Sequence, residues 1–273
     1  DINIKLGETF DIEYTFEPEN AIAGVEYTYN GVRYTREMFT SYPDKALVIK
    51  LSASTENALT FTLRPTIPFE QDYTISGDGL SKHGTVTSSV NNGVGEIELS
   101  GKMGYYDIDF MALYHVYIEG GSMKASTVSS VTAENADGTS HSKVGDGTIE
   151  VKGATKAYIV VTLGTDYEIE SESFFGGQYS KDKPSSGRNL EYVRNKVEGY
   201  MTNIESLTKY LPNIELQYQL LKERHLADYK ELFDRVDVSV EFDVADLAVT
   251  TDILQQRASE GNISKYLENL MLY

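Results

Sequence analysis

Val25-Glu26-Tyr27-Thr28-Tyr29-Asn30-Gly31-Val32-Arg33-Tyr34-Thr35-Arg36-Glu37-Met38 is the stretch that decides the fold class. Val25, Tyr27 and Tyr29 alternate with polar neighbours. After Asn30-Gly31 the alternation resumes at Val32, Tyr34, Arg36 and Met38. Two period-2 runs joined by Asn-Gly predict a tight β-hairpin, because both turn residues tolerate positive φ. Ser41-Tyr42-Pro43-Asp44 reads as a second turn, and the apolar run Ala46 to Leu51 as a central strand. Leu59, Phe61 and Leu63 alternate up to Pro65, which ends that strand.

Outward from there, residues 66–95 are rich in Gly, Ser, Asn and Asp, with only short candidate strands such as Thr85 to Val90. Ile97 and Leu99 alternate before Gly101, and Ile108 to Ile118 reads as a long strand. Residues 133–147 form a loop or a hairpin tip. Thr148 to Lys152 and Ala157 to Leu163 close the series. Many short strands with no helices between them predict a mainly β chain built as an antiparallel sandwich.

The period then changes. Residues 173–187 read as a linker, and from Arg188 the pattern is helical. Leu190, Val193, Val197, Tyr200 and Ile204 keep helical spacing. Pro212 separates a second helix, with Asn213 as its cap. That helix carries two stripes: Ile214, Tyr218, Leu221 and His225, then Leu226, Tyr229, Phe233 and Val236. Two stripes predict burial on more than one side. Val236 to Phe242 alternates briefly as a strand. Thr250-Thr251-Asp252 caps a further helix through Ser259, and Ile263 to Tyr273 reads as one more.

Composition bounds the function. The 273 residues include 24 basic and 42 acidic ones, a net charge of −18, which disfavours binding to phosphate backbones. With no cysteine, disulfide scaffolds, cysteine nucleophiles and thiolate metal sites are excluded. No apolar run approaches the roughly 18 residues of a membrane span. The opening residues Asp1-Ile2-Asn3-Ile4 are already strand-like, and they read as a mature or trimmed chain. Tyrosine is abundant, with 20 Tyr and 10 Phe but no Trp. Its ring suits a pleated face and also suits stacking on sugars.

Chemistry is harder to find. His83 and His141 fall in polar loops, His115 in a strand among tyrosines and His225 on a helix; none has a metal-ligand spacing. No nucleophile elbow, phosphate loop or dinucleotide fingerprint occurs. A glycosidase needs two placed carboxylates, and 42 unplaced candidates name none. No catalytic residue, metal ligand or cofactor is therefore assigned. Arg33 shares a strand face with Glu37, the kind of pair that supports cross-strand contacts.

Two stretches carry a resemblance. The run Gly31 to Leu51 (Gly-Val-Arg-Tyr-Thr-Arg-Glu-Met-Phe-Thr-Ser-Tyr-Pro-Asp-Lys-Ala-Leu-Val-Ile-Lys-Leu) resembles the N-terminal domain of glycoside hydrolase family 95, the inverting α-L-fucosidases and their α-L-galactosidase relatives. The run His225-Leu226-Ala227-Asp228-Tyr229-Lys230-Glu231-Leu232-Phe233-Asp234-Arg235-Val236 resembles that family's linker. Gly147 to Ala154 with Thr165-Asp166-Tyr167, and Thr250 to Tyr273, fit the last strands of the domain and the entry into a catalytic barrel. The front end of family 65 phosphorylases has a similar super-sandwich, but the two motifs fit the fucosidase family better.

The resemblance implies a large antiparallel super-sandwich followed by a C-terminal helical linker. It divides the chain into a β-sandwich domain at 1–172, a linker at 173–187, linker helices with a short return strand at 188–243, and the start of a helical catalytic domain at 244–273. The acid and base that would expel the aglycone and activate water lie in an (α/α)6 barrel beyond these residues. The chain alone is therefore expected to be inactive, with its own catalytic domain and, through the parent enzyme, carbohydrate as partners. An exported bacterial location is expected. His225, Asp228, Tyr229, Phe233 and Arg235 are expected to lock the linker helix structurally, with Phe233 buried. The alternative is an independent carbohydrate-binding module, in which Tyr105, Tyr106, Phe174, Phe175 or Tyr179 stack on sugar. An adhesin-like structural role fits less well, because a helical tail follows the sandwich.

Overall fold

The computed structural model describes residues 12–67, 82–103, 108–128, 131–134, 140–143, 145–167, 189–236, 249–265 and 267–268. It divides into two compact units, Asp1–Lys230 and Glu231–Tyr273.

The first unit holds the strands. They are β1 (Ile12–Glu17), β2 (Ile22–Tyr29), β3 (Val32–Ser41), β4 (Ala46–Ala53), β5 (Leu59–Leu63), β6 (Lys82–Asn91) and β7 (Val94–Met103). Then follow β8 (Ile108–Glu119), β9 (Ser122–Thr127), β10 (Val131–Glu134), β11 (Ser140–Lys143), β12 (Gly147–Ala154) and β13 (Lys156–Thr165). An eight-stranded antiparallel sheet runs β1-β2-β3-β4-β13-β8-β7-β6, a three-stranded one β5-β12-β9, and β10 pairs with β11.

The Asn30-Gly31 hairpin forms as its sequence predicts, with φ of 49° and 76° at the two turn residues. A second one, Asn92-Gly93 between β6 and β7, has φ of 50° and 81° and the same cause. It makes β6 a ten-residue strand where the sequence suggested only short pieces. His83 and His141 accordingly lie on strands β6 and β11 rather than in loops. β9, which follows the Gly120-Gly121 turn, was not foreseen either.

β13 explains the layering. Ala157, Ile159 and Val161 belong to an aliphatic core shared with Ile97, Val116, Ile149 and Val151, which joins the large sheet to the small one. Tyr158 and Val160 belong to a second core with Met201, Ile204, Tyr218 and Leu221, which come from two helices. Both faces of the strand are buried, hence its near-continuous apolar sequence.

Those helices are α1 (Leu190–Thr208) and α2 (Ile214–Phe233). Asn189 caps α1, its side-chain oxygen accepting from Tyr192 N at 3.1 Å, and Asn213 caps α2 through Leu216 N at 2.9 Å. The buried stripe of α1 is Val193, Val197, Met201, Ile204 and Thr208, so Met201 takes the place expected of Tyr200. Val193 and Val197 also pack on Met111 of β8. α2 buries Tyr218, Leu221 and His225 only. The expected second buried stripe does not hold: Val236 is 68% exposed and Phe233 39%, since one sheet face covers one helix face.

In the second unit, α3 (Thr251–Ser259) buries Leu254, and Leu267 is also buried. Thr250 stands at the N-cap but its side chain makes no capping hydrogen bond. No helix among the described residues is long and apolar enough to cross a membrane.

Candidate functional site

Strand register sets out three rows on the helix-facing side of the large sheet. The first is Glu37, Lys50, Tyr158 and Tyr117. The second is Phe39, Val48, Val160, His115, Glu96 and Ser89. The third is Ser41, Ala46, Thr162, Leu113, Glu98 and Thr87. Alternation carries these side chains to one face. The second row passes from apolar Phe39, Val48 and Val160 to polar His115, Glu96 and Ser89, and the third runs through Ala46, Thr162 and Leu113 to polar Glu98 and Thr87.

The first row grips α2. Glu215, in the first turn of α2, accepts from Lys50 Nζ at 2.7 Å, Lys156 Nζ at 3.0 Å, the Tyr158 hydroxyl at 2.5 Å and Gln219 Nε2 at 3.0 Å. Burial pushes this carboxyl up, but the hydrogen bonds from Lys50, Tyr158, Gln219 and Lys156 outweigh it and hold Glu215 well below the ordinary carboxylate range. Burial and the bond to Glu215 push the Tyr158 hydroxyl far up, so it stays a donor. Glu37 accepts from the Tyr218 hydroxyl and from Lys222 Nζ, the latter at 2.9 Å. Glu37 therefore serves the helix, while Arg33 pairs instead with Glu26 on β2 at 2.5 Å. Asp44, in the turn after β3, accepts from Arg224 Nε at 2.8 Å and from the Ser41 hydroxyl at 2.6 Å.

An aromatic line runs beside these pairs. His225 stacks on Phe39 at 4.9 Å between centroids, and Phe39 packs against Tyr218 at 5.8 Å. His225 Nε2 donates to the Asn20 carbonyl at 2.9 Å, and the Tyr229 hydroxyl donates to the Pro18 carbonyl at 2.6 Å. Two members of the linker motif thus hold the turn between β1 and β2. Asp228 is half-buried on the same helix. Phe233, expected to be buried, is exposed because it ends the helix, and Arg235 is exposed just beyond it.

α1 is held by Glu98, which takes both guanidinium nitrogens of Arg194 at 2.6 Å. The bond to Arg194 holds Glu98 below its ordinary range, so it is no proton donor at neutral pH. Thr162, fully buried, donates to the Val197 carbonyl at 3.2 Å. Where α1 ends its cover of the sheet, a cavity of about 330 Å³ opens, lined by residues that include Thr87, Ser89, Glu96, His115 and Glu198.

The proposed stacking residues Tyr105, Tyr106, Phe174, Phe175 and Tyr179 lie outside the described residues, as does the 173–187 linker. Among the described residues, no group of His, Asp or Glu is arranged to hold a metal ion. The seam residues Glu215, Lys50, Lys156 and Arg194 were not singled out from the sequence. The available signal was a charge, Lys50, inside the apolar run of β4, which asks for a buried partner.

Residues 6–170 match the family described as glycosyl hydrolase family 65, N-terminal domain. No curated protein matches the chain. The match supports a glycoside hydrolase's β-sandwich front end, and it falls on the family that the two motifs had ranked second.

Proposed function

Because the chain belongs to the glycosyl hydrolase family 65 N-terminal domain, we propose that it is the non-catalytic front end of a glycoside hydrolase, carrying a separate helical catalytic domain. The observation that carries this reading is the family match across the whole sandwich. The ion-paired seam supports it. An accessory domain that positions a neighbour needs a rigid mount, and multiple charge-assisted hydrogen bonds fix a helix's register better than apolar contact alone. α2 has such bonds at Glu37, Asp44 and Glu215, and tethers at His225 and Tyr229.

The finer assignment, an α-L-fucosidase-type parent, rests on the runs Gly31 to Leu51 and His225 to Val236. Its test is hydrolysis of an aryl α-L-fucoside and a fucosylated oligosaccharide, by this chain and by the chain joined to its catalytic domain. Activity only in the joined protein is expected. Turnover by the chain alone would overturn the non-catalytic reading. Turnover of other α-glycosides but no fucoside by the joined protein would remove the fucosidase assignment and leave the accessory role.

A further inference from the structure

The polar cavity beside α1 shares Glu98 and His115 with the contacts that hold that helix, but several of its polar atoms are not used by them. Its floor is strands β6, β7 and β8, where the second and third rows run out from under the helix. Ser89, Glu96 and His115 are consecutive across the sheet, as are Thr87, Glu98 and Leu113. Half of this group is already committed. Glu98 is bound to Arg194, which leaves that guanidinium neutralised. Glu96 Oε2 accepts from the Ser89 hydroxyl at 3.1 Å and from Asn91 Nδ2 at 2.8 Å. His115 Nδ1 faces Glu205 at 3.1 Å and the Tyr117 hydroxyl at 3.4 Å.

What remains is a set of acceptors and one adaptable ring. Glu96 Oε1 and His115 Nε2 have no hydrogen-bond partner among the described residues, although the His115 side chain is only 14% exposed. The Glu198 carboxylate stands on the α1 side, 3.6 Å from Arg194, and the exposed Thr87 hydroxyl on the other. Leu113 supplies an apolar patch between them.

We infer that this cavity is a binding site for a neutral sugar ring, whose hydroxyls donate to Glu96 and Glu198 and exchange a hydrogen bond with His115 while a C–H face rests on Leu113. A vicinal diol presents two donors at the spacing that carboxylate oxygens accept, and charge-assisted bonds of this kind are the strong ones. An anionic ligand meets Glu96 and Glu198, and no uncommitted Lys or Arg stands among the described lining residues. The volume, at the low end of small-molecule sites, suits one or two rings. The choice of a sugar rests on the front-end reading above; the geometry of the acceptors does not.

The test is saturation binding to the 273-residue chain by amide chemical-shift perturbation, with L-fucose, D-galactose, D-glucosamine and D-glucuronate as probes. Expected is a dissociation constant on the order of 1 mM for a neutral sugar, with shifts clustered on β6, β7 and α1. Glu96→Gln is expected to weaken binding about tenfold, the cost of one charge-assisted hydrogen bond. Thr87→Arg, at an exposed position, is expected to fill the cavity and abolish binding with no change in unfolding midpoint. The inference is overturned if no neutral sugar saturates, if shifts cluster elsewhere, if Thr87→Arg still binds, or if only glucosamine binds, which would make the cavity an ammonium site. Because the measurement needs no catalysis, a negative result leaves the accessory-domain reading standing, and an inactive joined protein leaves this result standing.

Discussion

The eight-stranded sheet meets different partners on its two faces. Toward the small sheet it presents Leu51, Ile97, Val116, Ala157, Ile159 and Val161, and the partner strands answer with Ile149 and Val151. Toward the helices it presents Lys50, Glu37 and Glu98 beside Val48, Phe39 and Val160. The first face is held by burial of apolar area, which is strong but without direction. The second adds charge-assisted bonds, which set where along the sheet each helix turn must sit. One layer supplies stability; the other supplies register to the part of the chain that leads onward from the sandwich.

The sharpest way to break the comparison is to damage each face and ask whether the losses differ in kind. Ile159→Ala, in the fully buried aliphatic layer, is expected to cost about 2–5 kcal/mol by denaturant unfolding, with the same loss at neutral and mildly acid pH. A pH-dependent loss there would blur the distinction between the faces. Glu215→Ala leaves Lys50 and Tyr158 without this acceptor and Lys156 with Glu119 alone at 3.6 Å, but those lysines are partly open to water, so about 1–3 kcal/mol is expected.

The pH behaviour separates the faces further. The folded-state pKa of Glu215 is lowered, so its contribution is complete above the ordinary carboxylate range and is lost only as pH falls through the lowered value. Glu98 behaves the same way, chiefly through its bond to Arg194. Unfolding of Glu215→Gln followed from neutral to acid pH is expected to show a flatter acid limb than the parent chain. An unchanged limb would mean that Glu215 carries no linked stability.

Smaller effects sharpen the picture at the end of α2. Phe233→Ala is expected to lower stability by about 1 kcal/mol, because its ring is 39% exposed; a fully buried ring would cost about 3–5 kcal/mol. Tyr229→Phe removes one hydrogen bond to the Pro18 carbonyl and is expected to cost about 0.5 kcal/mol, read as a small fall in the unfolding midpoint. A larger loss at Tyr229 than at Phe233 would place the turn between β1 and β2 at the centre of helix docking.

Much of the β layer was legible because its signals are local. Asn30-Gly31 announced a hairpin through positive φ, and the alternation on either side named its strands. The same signal stood at Asn92-Gly93, where the polar composition of β6 masked it, since a strand at the sheet's edge needs few apolar residues. Helical spacing likewise placed Val193, Val197 and Ile204 on a buried stripe, and Asn213 as a cap. It failed at Phe233 and Val236, whose spacing is right but whose position lies at or past the end of the helix.

The sequence by itself determined the antiparallel β class, the hairpin turns, the two helices after the sandwich and their first buried stripe. Each of those follows from periodicity or from the φ range that one or two adjacent residues permit. Only the tertiary structure decided that Glu215 joins Lys50 and Lys156, that Glu98 clasps Arg194, and that Ser89, Glu96 and His115 share one cavity. Glu215 and Lys50 are 165 residues apart in the chain. Among 42 acidic and 24 basic residues, the charges alone name no pairs, and strand order must first bring the two faces together.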